Sequence, residues 1–354
     1  MKPLGTENRQ EFSIIIIGAG GIVNHAHLPA YKVAGYLVGG IYDIDVAKAK
    51  ETANRFGISK VFSSFVELLN AISTETILDI AVPGDSIIEI LNQLPDGAAV
   101  LLQKPMGNNW AQAKEIARIV QQRNLLAGVN LQLRYAPFIS KARQLIEEGR
   151  IGQLCDIDIS INVFTPWHLW PFLGQVPFME LYYHSIHYID LVRSFLGNPA
   201  GIWAQSLKHP AMDGQAQVRS NILMHYGENS RVSIHTNHNH HFSPKFQEAR
   251  IKLEGTKGAI CITPGVLINY PAGIPDAFSY ISMLDENPEW QTIPIEGSWF
   301  PHAFAGSMGQ IILAKAGQIP APDNSVADAL YTMACVEAAS VSAETGFINL
   351  PPLE

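Results

Sequence analysis

Residues 13–23 read SIIIIGAGGIV: four consecutive isoleucines running straight into three glycines. An uninterrupted β-branched run has no polar face, so it fits a strand covered on both sides, as in a parallel sheet flanked by helices. The same pattern repeats downstream. YLVGGIYD reads as a second strand, and Asp45 caps a helix that Gly57 ends. Ser64 opens a short helix, ILDIAVP is a strand, SIIEILNQL a helix and AAVLLQKP a strand. Asn109 caps the next helix, and LLAGVNL closes the series. Strand and helix in alternation predict a doubly wound parallel sheet with right-handed crossovers over residues 1–130.

Beyond residue 131 the texture changes. A helix through KARQLIEEG precedes the alternating strand CDIDISINVF, the aromatic loop TPWHLWPFLGQVPF and a helix running to Gly197. Strands are expected at QVRSNILMHY, RVSIHTNH, ARIKLEG, AICITPG and VLINYP. Two helices follow, the second starting at Ser325 with Asp328 in a capping-box arrangement. Residues 131–354 are therefore expected to form an α+β domain on a large, mostly antiparallel open sheet.

A chain of 354 residues exceeds what one core usually serves, and 47% apolar with 16% charged residues describes an ordered globule. A formal charge of −8, with no Lys/Arg run, speaks against nucleic acid as partner. The first eleven residues are polar and no apolar run is long enough to span a bilayer, so no membrane association is expected. Cys155, Cys261 and Cys335 stand in no pairing or metal spacing, which fits a reducing cytoplasm.

The glycines point to a ligand. Gly18 permits a tight turn, and Gly20 lets backbone approach a pyrophosphate at the helix N-terminus, although Val23 occupies the third fingerprint position. Asp43 ends the second strand, where a carboxylate accepts from ribose hydroxyls. Asp45 adds charge and no Arg follows immediately, so NAD is expected over NADP. HTNHNHH at 235–241 suggests a metal, but read as a strand it splits its histidines between two faces, and no metal site is expected.

At AVLLQKPMG a Lys-Pro pair ending the fifth strand resembles the Glu-Lys-Pro motif of the Gfo/Idh/MocA oxidoreductases. GAGGIVNHAHLPAY resembles that family's nucleotide turn, and RFGISKVFSSFVELL its third strand and helix. RYAPFISKARQLIEEGRIGQL resembles the start of its second domain, IHYIDLVRSFLG its catalytic helix, and SVADALYTMACVEAASVSAETG its last helix. The resemblance implies that Lys104 stands between nicotinamide and substrate, that His187 is the acid/base, and that the protein is a homodimer or homotetramer. Three positions depart from the family pattern. Gln103 replaces the usual Glu, Tyr183 replaces the Asp of Asp-x-x-x-His-x-x-Asp, and VPGDSIIE lacks the usual His.

Imidazole titrates near ~6.5 and suits a base, while an ammonium can stabilise a developing alkoxide. A phenol beside a lysine has its ionised form favoured, so Tyr183 is an alternative base. Trp167, His168 and Trp170 offer aromatic faces and an imidazole to a sugar ring, or cover the core. The cofactor-binding candidates are thus Gly18, Gly20, Gly21, Ile22, Asp43, Pro83, Gln103, Lys104 and Asn130. The substrate candidates are Trp167, His168, Tyr183, His184, His187 and His238. The expected activity is NAD-dependent oxidation of a secondary alcohol on a sugar, sugar derivative or polyol. Glycoside cleavage through a transient keto sugar on bound NAD, or non-catalytic sensing, are the alternatives.

Overall fold

The computed structural model describes residues 11–169, 173–174, 176–212, 214 and 216–346, so Trp170 lies outside the described residues. The chain divides into two compact units. The first comprises Met1–Lys141 with Glu296–Met333, the second Ala142–Ile295 with Ala334–Glu354.

The first unit holds a five-stranded parallel sheet in the order β2-β1-β3-β4-β5. Its strands are β1 (Ser13–Ile17), β2 (Leu37–Tyr42), β3 (Thr76–Ile80), β4 (Ala99–Leu102) and β5 (Leu126–Val129). Helices α1 (Leu28–Ala34), α2 (Val46–Phe56), α3 (Phe65–Leu69), α4 (Ile87–Gln93) and α5 (Trp110–Gln122) connect them. β4 is wholly buried, as an unbroken apolar strand requires, and β3 is buried throughout with Asp79 inside it. The expected caps are in place. Asp45 accepts from Ala47 and Lys48 N–H, Ser64 from Glu67 N–H and Asn109 from Gln112 N–H.

The segment SKVF corrects one expectation. It contributes a single parallel bridge, Ile41 to Val61, before Ser64 turns the chain into α3, so the Lys-Pro pair follows the fourth strand of this sheet. Because β1 leads first to β2 and then across to β3, the order reverses between β1 and β3. Ligands bind parallel sheets at such a switch point, beyond the strands' carboxyl ends.

After α6 (Pro137–Glu147), the second unit carries an eight-stranded sheet ordered β13-β12-β11-β10-β6-β9-β8-β7. The strands are β6 (Leu154–Asn162), β7 (Gly201–Leu207), β8 (Arg219–His225), β9 (Arg231–Asn237), β10 (Glu248–Gly255), β11 (Gly258–Thr263), β12 (Ala277–Ser282) and β13 (Gln291–Thr292). Only β6 and β9 pair in parallel. Alternation is regular along β6 and β10: Ile157, Ile159 and Ile161 are buried with Ile251 and Leu253, while Asp158, Arg250 and Lys252 face outward.

VLINYP is not a strand. Gly265–Leu267 forms a single tight turn, Asn269 is left-handed at φ 56°, and Pro271 has no N–H to donate. The strand paired with β11 is AFSYIS, Ala277–Ser282, eleven residues further on.

Helix α7 (Ile186–Leu196) belongs to the second unit. Helix α8 (His302–Lys315) packs into the core of the first through Phe304, Met308 and Ile311. The last helix, α9 (Val326–Thr345), begins with Ser325 Oγ accepting from Asp328 N–H, as expected. Among the described residues no helix is long and apolar enough to cross a membrane.

Candidate active site

Each glycine of the turn after β1 does a different job. Gly18 adopts φ 111° and donates to Tyr42 O at 2.7 Å, and a Cβ there would stand 2.4 Å from Ala81 O. Only glycine fits. Gly20 is exposed, and a Cβ there would meet nothing within 4 Å, so the space over it is open to a ligand. Gly21 is exposed beside it and Ile22 half-buried, whereas Val23 is fully buried in the core. The third fingerprint position therefore does packing work.

Asp43 ties this turn to β2. Its Oδ2 accepts from Ala19 N–H at 2.7 Å and its Oδ1 from Asp45 N–H at 2.8 Å. A carboxylate has about four lone-pair sites, so both oxygens keep capacity for ribose hydroxyls. Pro83 is exposed on the loop after β3. An open backbone approach, a helix N-terminus and an anchored carboxylate together fit a dinucleotide.

Gln103, Lys104 and Asn130 stand at the same carboxyl edge, after β4 and β5. Gln103 N–H bonds Ile80 O at 2.9 Å and Asn130 N–H bonds Leu102 O at 2.8 Å, which fixes the two loop starts to the sheet. The Lys104–Pro105 peptide is cis. Burial lowers the Lys104 ammonium to about 8, because the charged form loses hydration.

In the second unit, Tyr183, His184 and His187 ride one helical segment that opens irregularly. Leu181–Ser185 is a wide turn in which Ile186 N–H bonds Leu181 O, five residues back. Such a turn carries an extra residue, so a four-residue step no longer closes it. Tyr183 lies half-buried against the apolar cluster of Leu173, Met179, Ala216 and Val218, joined by Trp167. His184 is half-buried with its ring 4.1 Å from that of His238. His187 begins the regular helix and is 6% exposed. Asp190, buried one turn on, lies 3.9 Å from Arg193, so its charge is answered within the helix.

His238 is 1% exposed, with protein at both ring nitrogens. Thr165 Oγ1 is 3.1 Å from Nδ1, and Glu180 Oε1 lies 3.6 Å from Nε2. Glu180 itself is fully buried and accepts from Ser185 Oγ at 2.7 Å. Burial alone would raise its pKa. The His238 imidazole, with Ser220 and Ser185, outweighs that and holds the carboxyl below its ordinary value. Trp167 packs edge-on against His184 and His238, at 5.6 and 6.2 Å between ring centres, and His168 beside it is exposed. The second unit thus backs a half-exposed imidazole with a buried carboxylate–imidazole pair. The strand reading of 235–241 ends at Asn237. His235 faces out to Asn221, and beyond the strand His238 turns inward.

Comparison with known proteins accounts for both halves. The model for the oxidoreductase family with an NAD-binding Rossmann fold matches residues 12–131, and that for the GFO/IDH/MocA C-terminal domain matches residues 139–261. The chain belongs to the Gfo/Idh/MocA family. As such it is an oxidoreductase whose first domain binds NAD. Among curated relatives, D-apiose dehydrogenase of Rhizobium rhizogenes is 26% identical over 96% of this chain and 97% of its own. The 1,5-anhydro-D-fructose reductase of Ensifer adhaerens is 24% identical over 73% of this chain and 77% of its own. The structure of levoglucosan dehydrogenase in complex with NADH and levoglucosan superposes with a TM-score of 0.76 at 18% identity, covering 95% of this chain and 98% of that one.

Two groups of residues escape a motif reading. Glu180, Ser185 and Thr165 join His238 only through the fold. The other group, His27 and Asp79, had a visible signal, since a lone carboxylate in the apolar strand ILDIAVP must be buried and answered by a partner.

Proposed function

We propose that the protein is a cytoplasmic NAD-dependent dehydrogenase that oxidises a secondary alcohol on a sugar, sugar derivative or polyol. The observation that carries this reading is Lys104, an ammonium lowered to about 8, at the same sheet edge as the dinucleotide turn. Residues 1–130, joined by the returning helix α8, supply the cofactor domain, and the rest of residues 131–354 the substrate and oligomerisation domain. Bound NAD supplies the hydride acceptor. Gly18, Gly20, Gly21, Ile22 and Asp43 hold the adenosine and pyrophosphate portion, with Pro83, Gln103 and Asn130 towards the other end.

His187 takes the hydroxyl proton as the alcohol becomes a carbonyl, and Lys104 hydrogen-bonds the same oxygen and stabilises the charge it gains. Tyr183 is the alternative base. Its seat against the Leu173–Met179 cluster favours a pocket-shaping role. Trp167, His168 and His184 give the sugar an aromatic face and hydrogen-bonding groups, with His238 fixing His184 from behind. The sugar-converting activities of the D-apiose, anhydrofructose and levoglucosan enzymes support the substrate class. Trp203 and Leu223, exposed neighbours on β7 and β8, suit a face covered by a second copy in a homodimer or homotetramer. The three free thiols fit a reducing compartment.

The test is NADH formation from NAD with sugars, sugar acids and polyols. Lys104→Ala and His187→Ala each abolish it on this reading, while Tyr183→Phe retains it. Loss in Tyr183→Phe with retention in His187→Ala would move the base to Tyr183.

A further inference from the structure

Beneath the cofactor edge of the first unit runs a buried hydrogen-bonded chain from a carboxylate to a ligand-facing amide. His27 closes a wide turn, Val23–His27, in which Leu28 N–H bonds Val23 O five residues back. Its Nδ1 lies 2.7 Å from Asp79 Oδ2, and Tyr31 donates its hydroxyl to the same oxygen at 2.8 Å. Its Nε2 lies 3.2 Å from Asn130 Nδ2, which also donates to Gln103 Oε1 at 3.1 Å. His27 and Asp79 are 0% exposed, Asn130 is 1% and Gln103 9%, and the Phe304 ring covers His27 at 5.2 Å.

The polarity of this chain follows from one end. An ionised carboxylate only accepts, so His27 carries its proton on Nδ1 and Nε2 presents a lone pair. Asn130 must then turn its NH2 towards His27, and the second hydrogen of that NH2 meets the Gln103 carbonyl. Among the described residues two groups remain unused: the Gln103 NH2, which donates, and the buried Asn130 Oδ1, which has no partner there. A donor and an acceptor on adjacent strand ends complement a primary carboxamide, which is what the nicotinamide ring carries.

We infer that His27 is a positioning residue: locked by Asp79, it sets the Asn130 and Gln103 amides so that they read the nicotinamide carboxamide. This deepens the proposed roles of Gln103 and Asn130 in holding the cofactor. It rests on NAD binding alone and stands whether or not any sugar is oxidised. It also gives Gln103, where the family has Glu, a specific use, because only the amide supplies the donor.

Asp79→Asn is the discriminating substitution. An orphaned buried N–H is rarer and costlier than an orphaned carbonyl. The new amide therefore donates to His27 Nδ1 and drives the proton to Nε2. Asn130 and Gln103 both invert, and the donor and acceptor exchange places.

The experiment has two readouts. Nitrogen NMR of histidine-labelled protein gives the His27 tautomer, expected as Nδ1–H in the wild type and Nε2–H in Asp79→Asn. NADH is then titrated by fluorescence against the reduced acetylpyridine analogue, which keeps the ring carbonyl and lacks the amide NH2. The wild type prefers NADH by about tenfold, from one hydrogen bond to a buried acceptor. If the substituted protein fails to fold, the wild-type tautomer still decides. An Nε2–H or doubly protonated His27, an unchanged tautomer in Asp79→Asn, or equal binding of NADH and analogue by the wild type would each overturn the inference. A dehydrogenase reading that fails on every sugar leaves both readouts untouched.

Discussion

The two units solve the same problem by opposite means. Each starts a helix with a wide turn, Val23–His27 in one and Leu181–Ser185 in the other, and each turn carries a histidine that stands beside a pair holding a buried carboxylate or bonds one itself. In the first unit the histidine bonds the carboxylate directly, Nδ1 to Asp79 at 2.7 Å, and is wholly buried. In the second, His184 stays half-exposed with its ring 4.1 Å from that of His238, whose Nε2 is 3.6 Å from Glu180. On the proposed roles, the buried chain suits a cofactor that is the same in every turnover, and the partly open imidazole suits a substrate that enters and leaves. Wide turns of this kind concentrate at functional sites because they re-aim side chains by one residue.

The largest effects that would sharpen this contrast are catalytic. His187→Ala lowers kcat/KM by roughly 10²–10⁴-fold, the usual contribution of a general base, while NADH affinity stays within about twofold. Equal loss of NADH binding would make His187 structural. Lys104→Ala gives a comparable loss. The wild-type pH profile supplies its signature: the ammonium is complete below about 8, so kcat/KM falls as pH rises through that value. In Lys104→Arg this alkaline decline vanishes, whatever the residual rate, since guanidinium stays protonated.

Next comes the buried pair of the second unit. His238→Ala strands the Glu180 carboxylate and destabilises the protein by about 3–5 kcal/mol in urea unfolding, whereas the double change with Glu180→Gln recovers much of it. Additive losses would break the pairing. Glu180 is held below its ordinary pKa, so its stabilising contribution is complete above the unfolded value and fades as pH falls through the folded one. Glu180→Gln is therefore expected to flatten the acid side of the stability profile.

The glycines give the smallest and cleanest contrast. Gly18→Ala meets Ala81 O at 2.4 Å with φ 111° and costs roughly 2–4 kcal/mol of stability. Gly20→Ala meets nothing, changes stability by less than about 0.5 kcal/mol, and weakens NADH binding several-fold because its methyl group intrudes on the ligand's space. If Gly20→Ala bound NADH as tightly as the wild type, the open approach would not be the pyrophosphate seat.

Legibility followed how far each feature depends on the local chain. The parallel sheet was readable because unbroken apolar runs such as IIII and AVLL have few alternatives, and caps such as Asp45 and Ser325 act within three residues. The glycine turn was readable because Gly18 answers a backbone constraint. VLINYP misled because β-branched and aromatic residues carry strand propensity even where Asn269 and Pro271 force a turn. The return of α8 to the first unit was hidden, since sequence order does not say which core a helix joins. The wide turn around Tyr183 was hidden because its extra residue leaves no periodic mark. The His238–Glu180 pair joins residues 58 positions apart, which no local pattern predicts.

The central claim is hydride transfer from a sugar alcohol to NAD, and absorbance of NADH during turnover tests it most directly. The purified protein, mixed with NAD and a panel of sugars, sugar acids, polyols and glycosides, should produce NADH in proportion to substrate consumed with at least one member. His187→Ala and Lys104→Ala should not. Tight NAD binding with no NADH from any alcohol, accompanied by cleavage of a glycoside or by carbohydrate binding without turnover, would contradict the account.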